Sequence, residues 1–440
     1  MEKIRTSHIL YFFILLFPLS NFILPFLIYG NEMNIRIYTD GSFSEILPDQ
    51  NIIFPDKGTY INEPPQGTVY KIDPKSIYLS IIYTLIFIIT TIFIFTFKNK
   101  KLNYEINFLK NDKVLYLKLF FFFFIITTLI QYYKLSEVSN FFYNLLILSK
   151  IYLIFISCQL LFISRNKYEI IIFILFLIFS FIFIVDLRSK INLPSTYNLI
   201  FNFYFLTFII SIFLSFKKKL KLTYIILIGF ISILMISIAF LWKENLRSYS
   251  YFNWNKLSSK IDVYNVNKPF GNSEVISSVL VAPLARVNKL DQFSYIIEKK
   301  DYNEMLLGKS YTPIFSKFIP RQLWKNKPQE VFGNEYARKY KFIPSYDKTT
   351  SVGSSTLIES YINFGFWGIL LLSIFYGFIY RLINHYIYVL KDKSVYLSFL
   401  FIVISLFISI TSESNLSSGF GGAIQMFVVA LILKSFIKHQ

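Results

Sequence analysis

Repeated apolar runs of 18 residues or more are the feature that most limits how this chain can fold. A helix of about 20 residues spans the roughly 30 Å hydrocarbon layer of a bilayer, whereas a soluble core could not cover so many such segments. The runs lack the short alternating pattern of membrane barrel strands. With 54% apolar and 16% charged residues among 440, the sequence predicts an all-α polytopic membrane protein.

Hydropathy predicts ten membrane-spanning helices. They cover residues 9–29, 76–97, 114–132, 141–163, 170–185, 196–216, 222–242, 356–380, 395–411 and 418–436. The first follows Lys3 and Arg5, but it lacks a small-residue cleavage site, so we expect an uncleaved helix kinked by Pro18 and Pro25. Two interpretations of Lys150 in the fourth span stay open: it faces the bundle, or the span is shifted so that its side chain reaches the interface.

Lysine and arginine in the short loops predict the orientation. Loops 98–113, 217–221 and 381–393 are rich in these residues and alternate with poorer loops. Because positively charged short loops stay in the cytoplasm, both termini are expected to be cytoplasmic. Two long segments, 30–75 and 243–355, are then expected on the outer side.

This topology divides the chain into three parts. Residues 1–242 hold seven helices and the outer loop 30–75, residues 243–355 form a long basic outer loop, and residues 356–440 hold three helices. The long loop has 113 residues with 18 Lys and Arg against 10 Asp and Glu. Nucleic acid and cytoplasmic anionic lipid lie on the wrong side of the membrane to explain that charge, so neither is expected as its partner.

Two motifs occur in order within and after this loop. The first, P-R-x-x-W-x-x-K-P, consists of Pro320, Arg321, Trp324, Lys327 and Pro328. The second, E-x-Y-x-N-F-G-x-x-G, consists of Glu359, Tyr361, Asn363, Phe364, Gly365 and Gly368. With these motifs and an upstream Arg286, the chain resembles the Wzy family, the O-antigen or oligosaccharide repeat-unit polymerases of bacterial surface polysaccharide assembly. The resemblance covers about 90 residues, roughly a fifth of the chain, and elsewhere it is one of topology only.

The resemblance implies a glycosyltransferase of the bacterial inner membrane, active in lipopolysaccharide biosynthesis, with periplasmic outer loops. Such an enzyme transfers a glycan from an undecaprenyl diphosphate donor to a sugar hydroxyl of another carrier-linked repeat unit. Its implied partners are this lipid-linked oligosaccharide, the bilayer, and a chain-length regulator and flippase of the same pathway. Family members carry essential arginines in two outer loops, whereas the first outer loop here has only Arg36.

A diphosphate leaving group needs cations around it. Arginine binds phosphate oxygens bidentately and stays charged, and negative charge grows on the diphosphate as the glycosidic bond breaks. The predicted diphosphate contacts are Arg286, Arg321, Lys327 and Arg338, with Arg321 also counted as catalytic. The alternative for each is a solvated loop cation, and it is strongest for Arg338, which lies beside Lys339 and Lys341.

The acceptor hydroxyl needs a proton acceptor. The three histidines map at or near the cytoplasmic side, which leaves a carboxylate. Glu359 and Asp291 are the predicted catalytic carboxylates, with Glu335 as a further candidate. For Glu359 an alternative stays open, a capping box with Thr356 at the start of its helix. The predicted sugar contacts are Trp324, Tyr361 and Asn363.

No metal and no cofactor are expected. Cys158 is the single cysteine, which excludes an internal disulfide and a thiolate cluster, and the sequence has no zinc motif, serine triad or Gly-rich phosphate loop. Two alternative functions stay open. An O-antigen ligase also carries a long outer loop, but its proposed base is an outer-face histidine. A flippase or transporter of lipid-linked oligosaccharide would place its cations within the spans.

Overall fold

The protein is a helical membrane protein. The computed structural model describes residues 6–30, 33–38, 68–97, 113–133, 140–163, 168–172, 174, 207, 210–211, 288–299, 305–316, 324, 332–348, 350–390 and 395–437. Four helices are long and apolar enough to cross a membrane: Ile9–Leu27, Pro74–Thr96, Lys113–Tyr132 and Phe366–Leu390. Shorter apolar helices cover Leu145–Leu161, Leu397–Thr411 and Leu416–Val429. The predicted spans 170–185, 196–216 and 222–242 lie almost entirely outside the described residues, so the count of ten stays a prediction.

The described elements follow one another along the chain as α1 (Thr6–Pro18), a π-helical turn (Leu19–Ile23), α2 (Leu24–Tyr29), β1 (Asn34–Ile37), β2 (Thr68–Lys71), α3 (Pro74–Thr96), α4 (Lys113–Tyr132), α5 (Asn140–Ile163), α6 (Leu290–Lys299), a 3-10 turn (Lys309–Tyr311), α7 (Thr312–Ser316), α8 (Phe332–Lys339), α9 (Thr356–Phe364), α10 (Phe366–Leu390), α11 (Val395–Thr411) and α12 (Leu416–Ile437).

The first predicted span contains a π-helical turn where the sequence predicted a kink. α1 ends at Pro18, and Pro25 lies in the first turn of α2. Proline has no N–H, so Pro25 cannot donate to the carbonyl of Asn21 four residues earlier. That carbonyl instead accepts the backbone N–H of Lys289 at 3.0 Å. The second proline of the span therefore leaves an acceptor that the long loop uses.

Within the described residues, a small two-stranded antiparallel sheet accompanies the helices that the all-α prediction expects. β1 pairs with β2 in a register that runs from Asn34 opposite Lys71 to Ile37 opposite Thr68. Ile35 is buried and Asn34 is exposed, as expected for a strand with one face against the protein. Segment 30–75, predicted to be an outer loop, thus contributes a small sheet to an otherwise helical protein.

Gly365 divides the predicted eighth span, 356–380, into two helices. Its φ of +61° and ψ of −142° lie where only glycine is comfortable. The spanning helix therefore begins at Phe366, not at Thr356, and continues to Leu390. α9, on the other side of the break, is a separate helix that is buried along nearly all of its length.

Two glycines of α10 allow other helices to approach closely. A Cβ at Gly377 of α10 would lie 2.7 Å from Cβ of Ile94 and 3.0 Å from the carbonyl oxygen of Thr91, both on α3. A Cβ at Gly368 would overlap the carbonyl oxygen of Ser360. α10 is therefore packed against α3 along its length and against α9 at its start.

Lys150 faces the interior of the bundle. Its side chain, in the middle of α5, is only 6% exposed. The neighbouring Ser149 accepts a hydrogen bond from Thr127 of α4 at 2.8 Å, so this side of α5 is a helix contact. The interior position is confirmed over the shifted-span alternative. By contrast, Lys118 is exposed on α4.

Candidate functional site

One end of the helix bundle is covered by residues from both predicted outer loops, and we call these residues the cap. The cap comprises residues 33–38, 68–73, 288–299, 305–316, 332–348 and 350–355. Several hydrogen bonds join it to the bundle. The N–H of Lys289 donates to the Asn21 carbonyl at 3.0 Å, the hydroxyls of Ser294 and Ser80 lie 2.9 Å apart, and the N–H of Ser355 donates to a carbonyl in the turn between α11 and α12. The described candidate residues lie in the cap or next to it.

The amphipathic helix α6 places Asp291 at the boundary between the cap and the bundle. Leu290, Phe293 and Ile296 recur every three residues and are fully buried, which fixes the face that α6 turns to the bundle. Asp291 lies beside that face in the first helical turn, where a carboxylate is favoured by the helix dipole. Its Oδ1 accepts the N–H of Gln292 at 2.7 Å. The fold therefore holds a carboxylate in a mostly apolar boundary region.

The surroundings of Asp291 make it a carboxylate that titrates close to neutral pH. Burial raises the pKa of Asp291 to about 6, while the hydrogen bond from Gln292 and the positive charge of Lys289 act in the opposite direction. Lys289 is itself held in place, because its Nζ donates to the carbonyl of Gly353 at 2.9 Å. A carboxyl group with such a pKa can accept a proton and release it again near neutral pH.

Tyr336 of α8 contacts Gln292, the residue that follows Asp291 in the chain. Its hydroxyl donates to Oε1 of Gln292 at 3.2 Å. Burial raises the pKa of Tyr336 well above its ordinary value, and the negative charges of Tyr340 and Asp291 add to that effect. Tyr336 therefore remains a hydroxyl donor throughout the physiological range. Lys289, Asp291, Gln292 and Tyr336 form the polar cluster of the cap.

Arg338 lies on the same short helix as Tyr336 and is partly exposed. Its Nε donates to Oδ1 of Asn334 at 2.8 Å, and the Asn334 amide donates to the carbonyls of Asp347 and Thr350 at 2.9 and 2.6 Å. No carboxylate pairs with Arg338 within the part of the chain that the structure describes. The guanidinium is thus positioned through one nitrogen, and its other N–H groups suit an anionic ligand.

Glu359 contacts a different helix from the one that the sequence predicted. The cap of α9 is Ser355, whose hydroxyl accepts the N–H of Ile358 at 3.2 Å, so the capping box between Thr356 and Glu359 is not formed. Oε2 of Glu359 instead accepts the N–H of Leu416 at 2.6 Å, at the start of α12. The predicted capping box with Thr356 is therefore wrong. The fully buried carboxylate caps the start of α12 and not the start of its own helix, α9.

Asn363 holds part of the cap against α9. Its amide nitrogen donates to the hydroxyl of Ser310 and to the carbonyl of Glu359, both at 2.8 Å, and its amide oxygen accepts the N–H of Gly308 at 2.8 Å. Because these bonds use the amide of a fully buried side chain, the structure gives Asn363 a positioning role. Its contact with a sugar stays a prediction.

The other predicted sugar contacts lie in different surroundings. Tyr361 is buried, with its ring centroid 5.5 Å from that of Phe293 and 5.7 Å from that of Tyr83. Trp324 is exposed over 38% of its surface. Only Trp324 of these two therefore presents a ring that a ligand can reach without displacing packed aromatic side chains.

Three predicted cation positions lie outside the described residues: Arg286, Arg321 and Lys327. Among the described residues, the structure brings Asp291 together with Lys289, Gln292 and Tyr336, and it places Glu359 next to Asn363 on α9. Lys289 was not among the predicted site residues, although its position two residues before Asp291 in the chain brings a positive charge close to that carboxylate. No group of three or more His, Cys, Asp or Glu suited to a metal occurs in the described ranges.

Comparison with known proteins gives no relative from which a function could be transferred. No family model, no curated protein and no solved structure matches this chain. The function is therefore argued from the residues themselves.

Proposed function

We propose that the protein is a polymerase of lipid-linked oligosaccharide repeat units, a metal-independent membrane glycosyltransferase of the bacterial inner membrane. It transfers a glycan from an undecaprenyl diphosphate donor to a sugar hydroxyl of another carrier-linked repeat unit. The observation that supports this most is the position of Asp291, a carboxylate with a pKa of about 6 held between the cap and a membrane bundle. The order of the two sequence motifs adds to it.

Asp291 is the proposed general base. In its ionised form it takes the proton of the acceptor hydroxyl, whose oxygen then bonds to the anomeric carbon of the donor sugar. The bond from that carbon to the diphosphate breaks, and its electron pair leaves with the diphosphate. We favour Asp291 over Glu359 because the Glu359 carboxylate already accepts the N–H of Leu416 in a fully buried position.

Cations of the long loop stabilise the departing diphosphate in this proposal. Arg286, Arg321 and Lys327 come from the loop sequence, and Arg338 is oriented by Asn334, four residues earlier on α8. Loss of one such donor costs about 2.7 to 4 kcal/mol in comparable anion sites, or about 10² to 10³ in rate. Trp324 is the proposed platform for a sugar ring.

Product analysis tests the proposal. Protein purified and reconstituted with a synthetic undecaprenyl-diphosphate repeat unit is expected to form a ladder of lengthened glycans. Arg321→Ala and Arg286→Ala are expected to abolish the ladder without loss of folding, because each removes a diphosphate donor. Lys348→Ala is the matched control, since Lys348 is an exposed cap cation outside both motifs.

Two results would contradict parts of this scheme. Full ladder formation by Arg286→Ala shows that this residue does not hold the diphosphate. Absence of any ladder from the wild-type protein contradicts the polymerase itself. If the labelled unit instead crosses the bilayer of proteoliposomes unchanged, the transporter alternative is favoured, for which the buried Lys150 in α5 would be the first residue to test.

A further inference from the structure

We propose that residues 305–316 of the cap form an interfacial element that inserts Leu307 and Phe315 into the bilayer leaflet on the cap side. This inference does not depend on the polymerase activity. The first observation is exposure: Leu307 is 71% exposed and Phe315 is 76% exposed. Leaving two large apolar side chains in water forgoes about 25 cal/mol for each Å² of apolar surface, which insertion into lipid recovers.

The exposed Leu307 is held rigidly. Its φ of +47° lies in the left-handed region, which costs a leucine roughly 1–2 kcal/mol. Three hydrogen bonds to α9 maintain this conformation: the N–H groups of Leu306 and Leu307 donate to the carbonyls of Ile362 and Asn363 at 3.4 and 3.2 Å, and the N–H of Gly308 donates to the Asn363 amide oxygen at 2.8 Å. The fold therefore fixes the direction of an apolar side chain that packs against little of the protein.

The opposite side of the segment is anchored to the bundle. Ser310 and Ser316 are buried, the ring centroid of Tyr311 lies 6.4 Å from that of Phe364, and α7 packs against α12. Thr312 and Phe315, three residues apart on one helix face, are both exposed. The segment thus has one face against the protein and one face, carrying Leu307 and Phe315, directed outward.

The position of the segment along the membrane normal points to the interface. Asn363, which holds the turn, lies four residues before Trp367 in the chain, on the other side of the break at Gly365, and Trp367 is 69% exposed at the start of α10. Tryptophan in such a position is typical of the headgroup region. The surface of α10 that follows is apolar and exposed at Leu371, Phe375, Phe378 and Leu382. The segment that carries Leu307 and Phe315 is therefore hydrogen-bonded, through Asn363, to the chain just before an exposed and apolar spanning helix.

Charge supports the bilayer as the occupant of this face. Lys309 is exposed between Leu307 and Phe315. A lysine among apolar side chains at this level extends its ammonium group to lipid phosphates while its alkyl chain stays in the apolar region. A second copy of the chain would also cover apolar surface, and spin labelling distinguishes these two occupants.

Spin labelling tests the inference. Because Cys158 is the single cysteine and is buried, Leu307→Cys and Phe315→Cys in a Cys158→Ser background give one labelled site each. Vesicles of phosphatidylethanolamine and phosphatidylglycerol carry the reconstituted protein. We expect nitroxide collisions with oxygen, which concentrates in lipid, to exceed collisions with a water-soluble nickel chelate severalfold at both positions. Phe315 lies in a regular helix, so its variant does not depend on the strained backbone of Leu307.

Two control positions calibrate the measurement. Leu371→Cys, on the exposed apolar surface of α10, reports the lipid limit, and Lys348→Cys, an exposed cap position, reports the aqueous limit. Collision ratios at 307 and 315 that match position 348 would overturn the inference. Spin–spin broadening at 307 or 315 that disappears on dilution with unlabelled protein would also overturn it, since it identifies a second copy as the occupant.

Discussion

One residue of the cap, Asp291, lowers the stability of the folded protein and is also the proposed general base. Asp291 binds a proton more tightly in the folded protein than in the unfolded chain, because burial raises its pKa from 3.8 to about 6. The ionised form is therefore disfavoured in the folded state at neutral pH, and this cost falls as the pH is lowered from about 6 towards 4. A destabilising carboxylate kept near a membrane bundle is typical of a functional group.

Asp291→Asn is expected to raise the thermal unfolding midpoint in detergent near neutral pH. The amide resembles the protonated carboxyl group, so the variant lacks a cost on the order of 2 kcal/mol. The gain should shrink as the pH falls through about 6, where the wild-type group becomes protonated. Thermal unfolding measured across this pH range checks the expectation.

The exposed Glu335 of α8 provides the control for that measurement. Glu335→Gln should leave the unfolding midpoint nearly unchanged at each pH, because an exposed carboxylate loses little solvation on folding. A gain for Asp291→Asn that stays constant over the whole pH range would show that its cause is not the protonation of Asp291.

At the scale of elements, the break at Gly365 separates a buried helix from a spanning one. α9 carries Glu359 and Asn363, and each of these side chains bonds to another element, the first to α12 and the second to the turn at Gly308. A continuous helix from Thr356 to Leu390 would carry these side chains in a different direction relative to α10. The left-handed glycine therefore sets where the polar residues of the second motif point.

Removal of the Glu359 carboxylate is expected to weaken the start of α12. Glu359→Ala leaves the buried N–H of Leu416 without its acceptor, which costs about 1–3 kcal/mol. Glu359→Gln keeps an oxygen in the same place and should lose much less. Thermal unfolding of the two variants, measured side by side, checks the difference, and equal losses would show that the bond to Leu416 is not the main contribution of this side chain.

At the scale of the whole molecule, the cap joins two segments that are far apart in the chain. The hydroxyl of Tyr70 and the N–H of Asp73 both donate to the Glu298 carboxylate of α6. Burial alone would raise the pKa of Glu298, but these bonds and Lys299 lower it. Its contribution to stability is therefore present above the ordinary pKa of 4.5 and is lost as the pH falls through the lower folded value.

Glu298→Gln is expected to loosen the sheet against α6. An amide has one oxygen, so one of the two accepted bonds is lost at a cost of about 1 kcal/mol. Hydrogen exchange of the β2 amides should become about fivefold faster above the pKa of Glu298, since 1.4 kcal/mol corresponds to a factor of ten. Glu335→Gln is again the control. Unchanged exchange in Glu298→Gln would show that the hydrogen bonds to Glu298 do not hold β2 against α6.

Hydropathy predicts α3 and α4 well because each is a long apolar run, but it places the span of α10 ten residues too early at both ends. The ends of α3 and α4 lie within two residues of their predicted bounds. The sheet was not predicted because β1 and β2 are short and separated by 30 residues, so their pairing depends on packing against α6. Gly365 is part of the second motif, but its left-handed backbone has no hydropathy signal. The need for a carboxylate was enough to select Asp291 and Glu359 as candidates from the sequence. The residues of other helices that interact with them are far away in the chain and follow only from the fold.

Pro25 has a consequence for the order of biogenesis. The helix that contains it is made early, and the carbonyl of Asn21 receives no amide proton from Pro25. Its partner at Lys289 leaves the ribosome only after much of the chain has been synthesised. The end of the first predicted span is therefore joined to the cap only late in synthesis, once residue 289 has been made.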